Sequence, residues 1–215
     1  MIKVEHIKVF NLDGAIRGMR NPLDSHHLSD SYWTHIEDAD TMEIANYQYF
    51  VGDKDIDLMK RLYNAGAEHR KYARQIHVSM DITLPFYVWK EFDTYRIGVT
   101  ENSYSTMHKI HAKEFTFDNF SCEHLNEASM LRLKDTIYQL NAERKLFIET
   151  GDKEHWWQMI QLLPICYNQK RTVTMNYENV FSMIKQRSGH KLDEWNDFVE
   201  ILKDLPYVKD IMGMK

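Results

Sequence analysis

The amino-acid sequence predicts a chain that combines strand and helix, with a helical C-terminal half. Two observations carry this expectation. Ile76, Val78, Met80, Ile82 and Leu84 alternate without a break over residues 76–84, which is the two-residue period of a strand that buries one face. From residue 121 onward the chain instead shows helical patterning in four successive stretches. No composition shift or flexible linker divides these regions, so residues 1–215 are expected to form one domain.

The elements follow in chain order. Ile2 to Phe10 is rich in β-branched residues and reads as a strand. Residues 11–40 hold Gly14, Gly18, Pro22 and many polar side chains, and read mostly as loop with room for a short helix. Met42 to Val51 fits either strand or helix. Asp53 is an acidic cap candidate, and Ile56, Met59, Leu62 and Tyr63 follow at helical spacing, so a helix is predicted from 53 to about 61.

Pro85 comes directly after the strand at 76–84. Proline is tolerated at a first helical position, where its missing N–H would have had no partner. Residues 86–95 therefore read as a helix that turns Val88, Trp89, Phe92 and Tyr95 inward. Residues 96–118 have turn chemistry and little periodicity, and a loop of that length in a compact domain is often functional. Helices are predicted over 125–150, 153–163, 173–187 and 192–202, punctuated by Pro164 and Gly189.

Composition narrows the function classes. Hydrophobic residues make up 43% and charged residues 27%, a folded rather than a disordered profile. Net charge is −5, and no basic face for a nucleic-acid backbone is evident in that balance. Cys122 and Cys166 form no CxxC pair, so a reducing cytoplasm is expected rather than a disulfide framework. No run of 18 apolar residues suggests a membrane helix. The opening Met-Ile-Lys-Val-Glu-His lacks the apolar region of a signal peptide.

Common chemical motifs are missing. Neither GxGxxG nor a Walker pattern occurs, which argues against Rossmann and P-loop sites. His108 and His111 have helical ligand spacing, but no nearby carboxylate or cysteine completes a set, so no metal is expected. There is no GxSxG elbow, and Cys166 in Leu-Leu-Pro-Ile-Cys reads as a buried structural thiol. Trp156 and Trp157 read first as packing residues.

The stretch from Pro85 to Met107 is Pro-Phe-Tyr-Val-Trp-Lys-Glu-Phe-Asp-Thr-Tyr-Arg-Ile-Gly-Val-Thr-Glu-Asn-Ser-Tyr-Ser-Thr-Met. It resembles the signature helix and loop of the flavin-dependent thymidylate synthases, which carry an R-Q-W-F approach and then R-H-R-x-x-S-x-N-E-x-S-x-R-Y. Gly66, His69, the strand at 76–84 and Pro85 follow the order of that family's upstream blocks. Leu163-Pro164, Asn176 and Arg187 follow the downstream Leu-Pro turn, N-x-R helix and later arginine. The likeness covers about residues 50–200 and lies in order and spacing more than identity.

The resemblance implies a mixed α/β (α+β) fold, ThyX-like, with a mixed sheet flanked by helices. It also implies a homo-oligomer, usually a tetramer, with FAD bound between subunits. The implied reaction is methylation of dUMP or a related pyrimidine nucleotide, with NADPH and methylenetetrahydrofolate as co-substrates. The flavin would supply the difficult chemistry and the protein the positioning. Carried onto this chain, the flavin-binding positions are His69, Lys71, Arg96, Ile97, Asn102, Asn176 and His190. The substrate positions are Glu91, Tyr104, Ser105 and Arg187, and Arg187 is also the catalytic candidate.

The chain departs from the pattern at functional positions. Thr94 and Tyr95 replace the first two residues of R-H-R, and Arg96 keeps its type. Glu101-Asn102 reverses the N-E pair, Tyr104 takes the serine position, and Thr106 the next arginine. A one-residue slide matches Asn102 and Ser105 without restoring that arginine. Glu178 replaces the N-x-R arginine. A charge-assisted hydrogen bond is worth roughly 1.5–3 kcal/mol, so three lost arginines remove roughly 4–9 kcal/mol of phosphate binding. Lys71, Lys90, His108, Lys109, Lys170 and Arg171 are the basic residues placed to compensate. The alternatives are a non-catalytic homologue serving as a nucleotide-binding or assembly module, and a flavin or nucleotide protein with a different reaction.

Overall fold

The computed structural model describes residues 2–37 and 44–214. The parts of the segments 11–40 and 42–51 that fall at 38–43 lie outside the described residues. Strand β1 (Lys3–Phe10) leads into helix α1 (Leu12–Arg20). Strands β2 (Tyr32–Glu37) and β3 (Ile44–Phe50) pair antiparallel as a separate two-stranded sheet. Helix α2 (Asp53–Ala65), strand β4 (His77–Pro85) and helix α3 (Phe86–Phe92) follow, then the short β5 (Thr100–Ser103) and α4 (Thr106–Lys109). Beyond these come α5 (Glu127–Thr150), α6 (Lys153–Leu162), β6 (Asn168–Asn176), α7 (Tyr177–Arg187), α8 (Asp193–Lys203) and α9 (Val208–Met212). The main sheet has the strand order β1-β4-β6-β5. The expected mixture of sheet and helix is present. Among the described residues no helix is long and apolar enough to cross a membrane.

Residue contacts group the chain into two compact units. The first takes the described residues of 1–5, 80–96 and 101–173; the second takes those of 6–79, 97–100 and 174–215. In the first unit the β4 alternation places Met80, Ile82 and Leu84 inside, next in sequence to the buried Val88, Trp89 and Phe92 of α3. A further core joins Ile110, Phe115 and Phe120 to Leu133, Ile137 and Leu140 of α5 and Met159 of α6. Helix α5 is capped by Asn126, whose side chain accepts from the Ser129 N–H. Asp152 caps α6 in the same way through the Glu154 N–H.

The second unit is built on aromatic packing. Tyr63 of α2 meets Phe181 of α7 edge to face at 5.0 Å. The Tyr72 hydroxyl donates to the Met59 carbonyl and the Tyr177 hydroxyl to that of Pro206, so each buried ring keeps its polar end satisfied. A buried ion pair joins Arg20 of α1 to Asp55 of α2 at 2.6 Å. The Asp55 carboxylate also accepts from the Ser29 and Ser31 hydroxyls.

Three local readings need correction. Residues 173–176 finish strand β6 rather than start a helix. Val173 and Met175 are buried while Thr172 and Thr174 are exposed, a two-residue period too short to separate from the helical spacing that follows. Residues 32–37 form strand β2 inside the segment read mostly as loop, while residues 12–20 supply the short amphipathic helix it had room for. Its glycines are there for close approach: a Cβ on Gly14 would lie 2.2 Å from the Asn11 side chain, and one on Gly18 2.4 Å from Gln75. The segment 96–118 is not all loop, since it contains β5 and α4.

Candidate functional site

The segment that follows β5 walls a cavity of about 720 Å³ in the first unit, within the size range of sites that hold nucleotide-sized ligands. Tyr104 is fixed on its rim by two backbone bonds. Its N–H donates to the Lys170 carbonyl, and its carbonyl accepts from the Gln169 side chain, each at 2.9 Å. Ser105 caps α4, its hydroxyl oxygen accepting from the His108 N–H at 3.1 Å. Helix α4 delivers Lys109 to the cavity, and a turn closed by the Ala112 N–H on the Lys109 carbonyl brings Lys113 to the same wall. Phe115 and Tyr167, whose rings lie 6.3 Å apart, supply aromatic surface. Burial pushes the Tyr167 phenol above its ordinary value, so it stays neutral at physiological pH.

Charges around this cavity differ in their partners. Lys170 bonds Asp81 at 2.8 Å and stands 3.7 Å from Glu5. Those contacts, the hydrogen bond to Asp81 first, raise its pKa. Lys109 and Lys113 form no ion pair among the described residues, and Glu114 is the carboxylate beside them on the wall.

Arg171 organises the adjoining surface. Its guanidinium lies over the Trp89 ring at 4.2 Å. It bonds Asp93 at 2.6 Å, Glu101 at 2.7 Å and the Gln169 side-chain oxygen at 3.0 Å. Because Gln169 in turn donates to the Tyr104 carbonyl, Arg171 holds the cavity rim through one intermediary. Arg96 is exposed and its Nε donates to the Asp93 carbonyl of its own turn. Asn102 is exposed on β5, and Glu91 is half-buried on α3.

The second unit holds the other predicted positions. His69 and Lys71 are exposed on either side of Arg70. Arg70 forms a bidentate pair with Glu178 at 2.7–3.0 Å and lies over the Tyr63 ring at 5.4 Å. That pairing, the hydrogen bonds to Glu178 first, raises the Arg70 pKa. Asn176 is the cap of α7: its side chain accepts from the Asn179 N–H, and the Asn179 side chain accepts from the Asn176 N–H. Asn179 also donates to the carbonyl of Ile97, whose side chain is 91% exposed. Arg187 lies over the Trp195 ring at 4.6 Å and 3.2 Å from a His190 ring nitrogen.

The structure therefore brings Tyr104 and Ser105 together on one cavity. It places Asn176 and the Ile97 backbone side by side, and Arg187 with His190. Asn176 and Arg187 sit at opposite ends of α7, about 16 Å apart along the axis at 1.5 Å per residue. Sequence reasoning missed Gln169, Lys113 and Tyr167 at the cavity and Arg70 as the partner of Glu178. The one available signal was the position of Arg70 between two selected residues. A second cavity of about 370 Å³, with Trp33, Tyr47, Tyr49 and Tyr207 on its wall, has no Lys, Arg or His among its described lining residues and is ill suited to an anion. Among the described residues no group of three His, Cys, Asp or Glu side chains is placed to hold a metal ion. Burial, first of all, raises both the Cys122 and Cys166 thiols, which makes them poor nucleophiles.

No protein-family model matches the sequence, and no curated protein sequence matches it. Solved structures do match. Thymidylate Synthase X (ThyX) from Helicobacter pylori, with FAD and dUMP, aligns with 98% of this chain and 95% of its own at 19% identity and a TM-score of 0.64. A second structure of that organism's flavin-dependent enzyme, complexed with FAD and dUMP, aligns with 98% and 96% at 20% identity and a TM-score of 0.65. This chain has the fold of the flavin-dependent thymidylate synthases.

Proposed function

We propose that this protein binds a pyrimidine nucleotide in the Tyr104 cavity and methylates it as a flavin-dependent enzyme, with dUMP or a close relative as substrate. The observation that carries the reading is the cavity itself. It is walled by the same loop that resembles the family's signature, in a fold whose matched structures hold FAD and dUMP. Tyr104, Tyr167 and Phe115 offer ring surface for a base. Ser105 and Gln169 place polar atoms near it, and the lysines supply positive charge for a phosphate.

The donor set for a flavin includes two exposed cations, Lys71 and Arg74. His69, Lys71 and Arg74 are exposed around Arg70, which suits the diphosphate of FAD, and Glu178 keeps Arg70 in a fixed orientation. FAD, when bound, supplies the hydride chemistry, with NADPH and methylenetetrahydrofolate as co-substrates. The protein's own residues bind and orient: the cavity takes the nucleotide, and Arg187, whose guanidinium lies 4.6 Å from the centre of the Trp195 ring, is the catalytic candidate. Assembly as a cytoplasmic homotetramer completes the proposal.

A second reading is a non-catalytic nucleotide-binding homologue. Glu178 favours it, since it stands where the family carries an arginine and is already paired with Arg70.

An absorbance spectrum taken before and after FAD is added, followed by NADPH oxidation with dUMP present, separates the two. Methylation predicts a flavin spectrum and turnover that falls at least 100-fold in Arg187→Ala. A colourless protein unaltered by FAD ends that reading. Thermal stabilisation by dUMP would then leave the binding module standing. Ligand at about 100 times its dissociation constant adds about 2.7 kcal/mol, a shift of a few degrees for a chain of this size.

A further inference from the structure

The arginines that the family pattern would place on phosphate are replaced here by Thr94, Thr106 and Glu178, so the negative charge of a nucleotide needs another counter-charge. Several basic residues around the cavity and beside Glu178 are committed. Arg171 is held by Asp93 and Glu101, Lys170 by Asp81, and Arg70 by Glu178. Arg187 is stacked on Trp195. Lys109 and Lys113 differ, because both line the 720 Å³ cavity and neither has an ion-pair partner among the described residues. With Glu114 as the carboxylate beside them, the pair leaves a net positive charge at one end of the wall.

We infer that Lys109 and Lys113 form the phosphate grip of this protein, taking a terminal monophosphate whose base lies toward Tyr104 and Tyr167. The inference rests on the nucleotide reading and assigns the residues that read the anion. Two flexible ammonium groups act on phosphate as point charges. They need no fixed fork geometry, so they can replace arginines from a different stretch of chain. Their exposure keeps them hydrated until a ligand arrives. Binding should therefore weaken as salt rises, by screening between exposed charges.

The test is isothermal titration of dUMP, deoxyuridine and inorganic phosphate into the full chain and into Lys109→Ala/Lys113→Ala. Each lost charge-assisted contact should cost about tenfold. The double variant is then expected to bind dUMP about 100-fold more weakly and to bind deoxyuridine unchanged. Lys109→Arg/Lys113→Arg should bind dUMP within a few-fold of the parent. In the parent protein inorganic phosphate should compete with dUMP and not with deoxyuridine, a result that needs no variant to fold.

If dUMP binds and the double variant binds it equally well, or loses deoxyuridine to the same degree, the lysine grip is overturned and the nucleotide reading survives. If dUMP does not bind but phosphate is still captured through the two lysines, the grip stands and the uridine reading falls. Binding of neither probe overturns both.

Discussion

The buried pair Arg20–Asp55 allows a sharp prediction. The Arg20 side chain is 4% exposed and the Asp55 side chain 0% exposed, and they meet at 2.6 Å. Asp55→Asn removes the negative charge at nearly constant shape. The Ser29 and Ser31 hydroxyls keep an acceptor, but Arg20 is left as a buried, uncompensated cation. Breaking a buried pair in this way costs about 3–5 kcal/mol. With a urea slope of about 2–3 kcal/mol per molar, the unfolding midpoint should fall by about 1–2.5 M.

The acid dependence follows from the same contacts. Burial alone would raise the Asp55 pKa. The hydrogen bonds from Ser29, Ser31 and Arg20 outweigh it, and the carboxyl lies below its ordinary value of 3.8. A depressed folded pKa gives stability that is fully present above the unfolded value and is lost as pH falls through the folded one. Parent and variant should therefore differ most near neutral pH and converge below about pH 4. Urea melts at pH 7 and across the acid range measure both effects. A loss under 1 kcal/mol at pH 7, or a gap that widens in acid, would show that the ion pair does not bear on stability as argued.

Two further outcomes follow from the local geometry. Asn176→Ala removes the cap of α7 and should destabilise by about 1–2 kcal/mol in the same melts, whereas Asn176→Ser should recover most of it. Arg171→Lys keeps the charge but loses the fork and the stacking on Trp89. It should raise the dUMP dissociation constant a few-fold by freeing Gln169, and Gln169→Leu should give the same rise with no further loss in the double variant.

Sequence periodicity read the elements well where one face of a single segment decides the outcome. The alternation at 76–84 survives as the buried Ile76, Val78, Met80, Ile82 and Leu84. The long helix at 127–150 lies within its predicted span. Reading failed where two periods overlap. Val173, Met175 and Tyr177 fit a strand and the start of a helix equally, and the reciprocal Asn176–Asn179 cap marks where one ends and the other begins.

Two of the candidate positions in the loop fall on one cavity. Tyr104 and Ser105 were selected from the loop, and both wall the cavity. What the loop could not show is which cations remain available to a ligand. Local sequence sufficed for strand β4 and helix α5, because burial of one face imposes a repeat of two or of 3.6 on neighbouring residues. The pairing of charges is settled by the folded chain. Arg70 finds Glu178 across 108 positions and Arg171 finds Asp93 across 78. An ion pair depends on distance in space, which no spacing along the chain encodes.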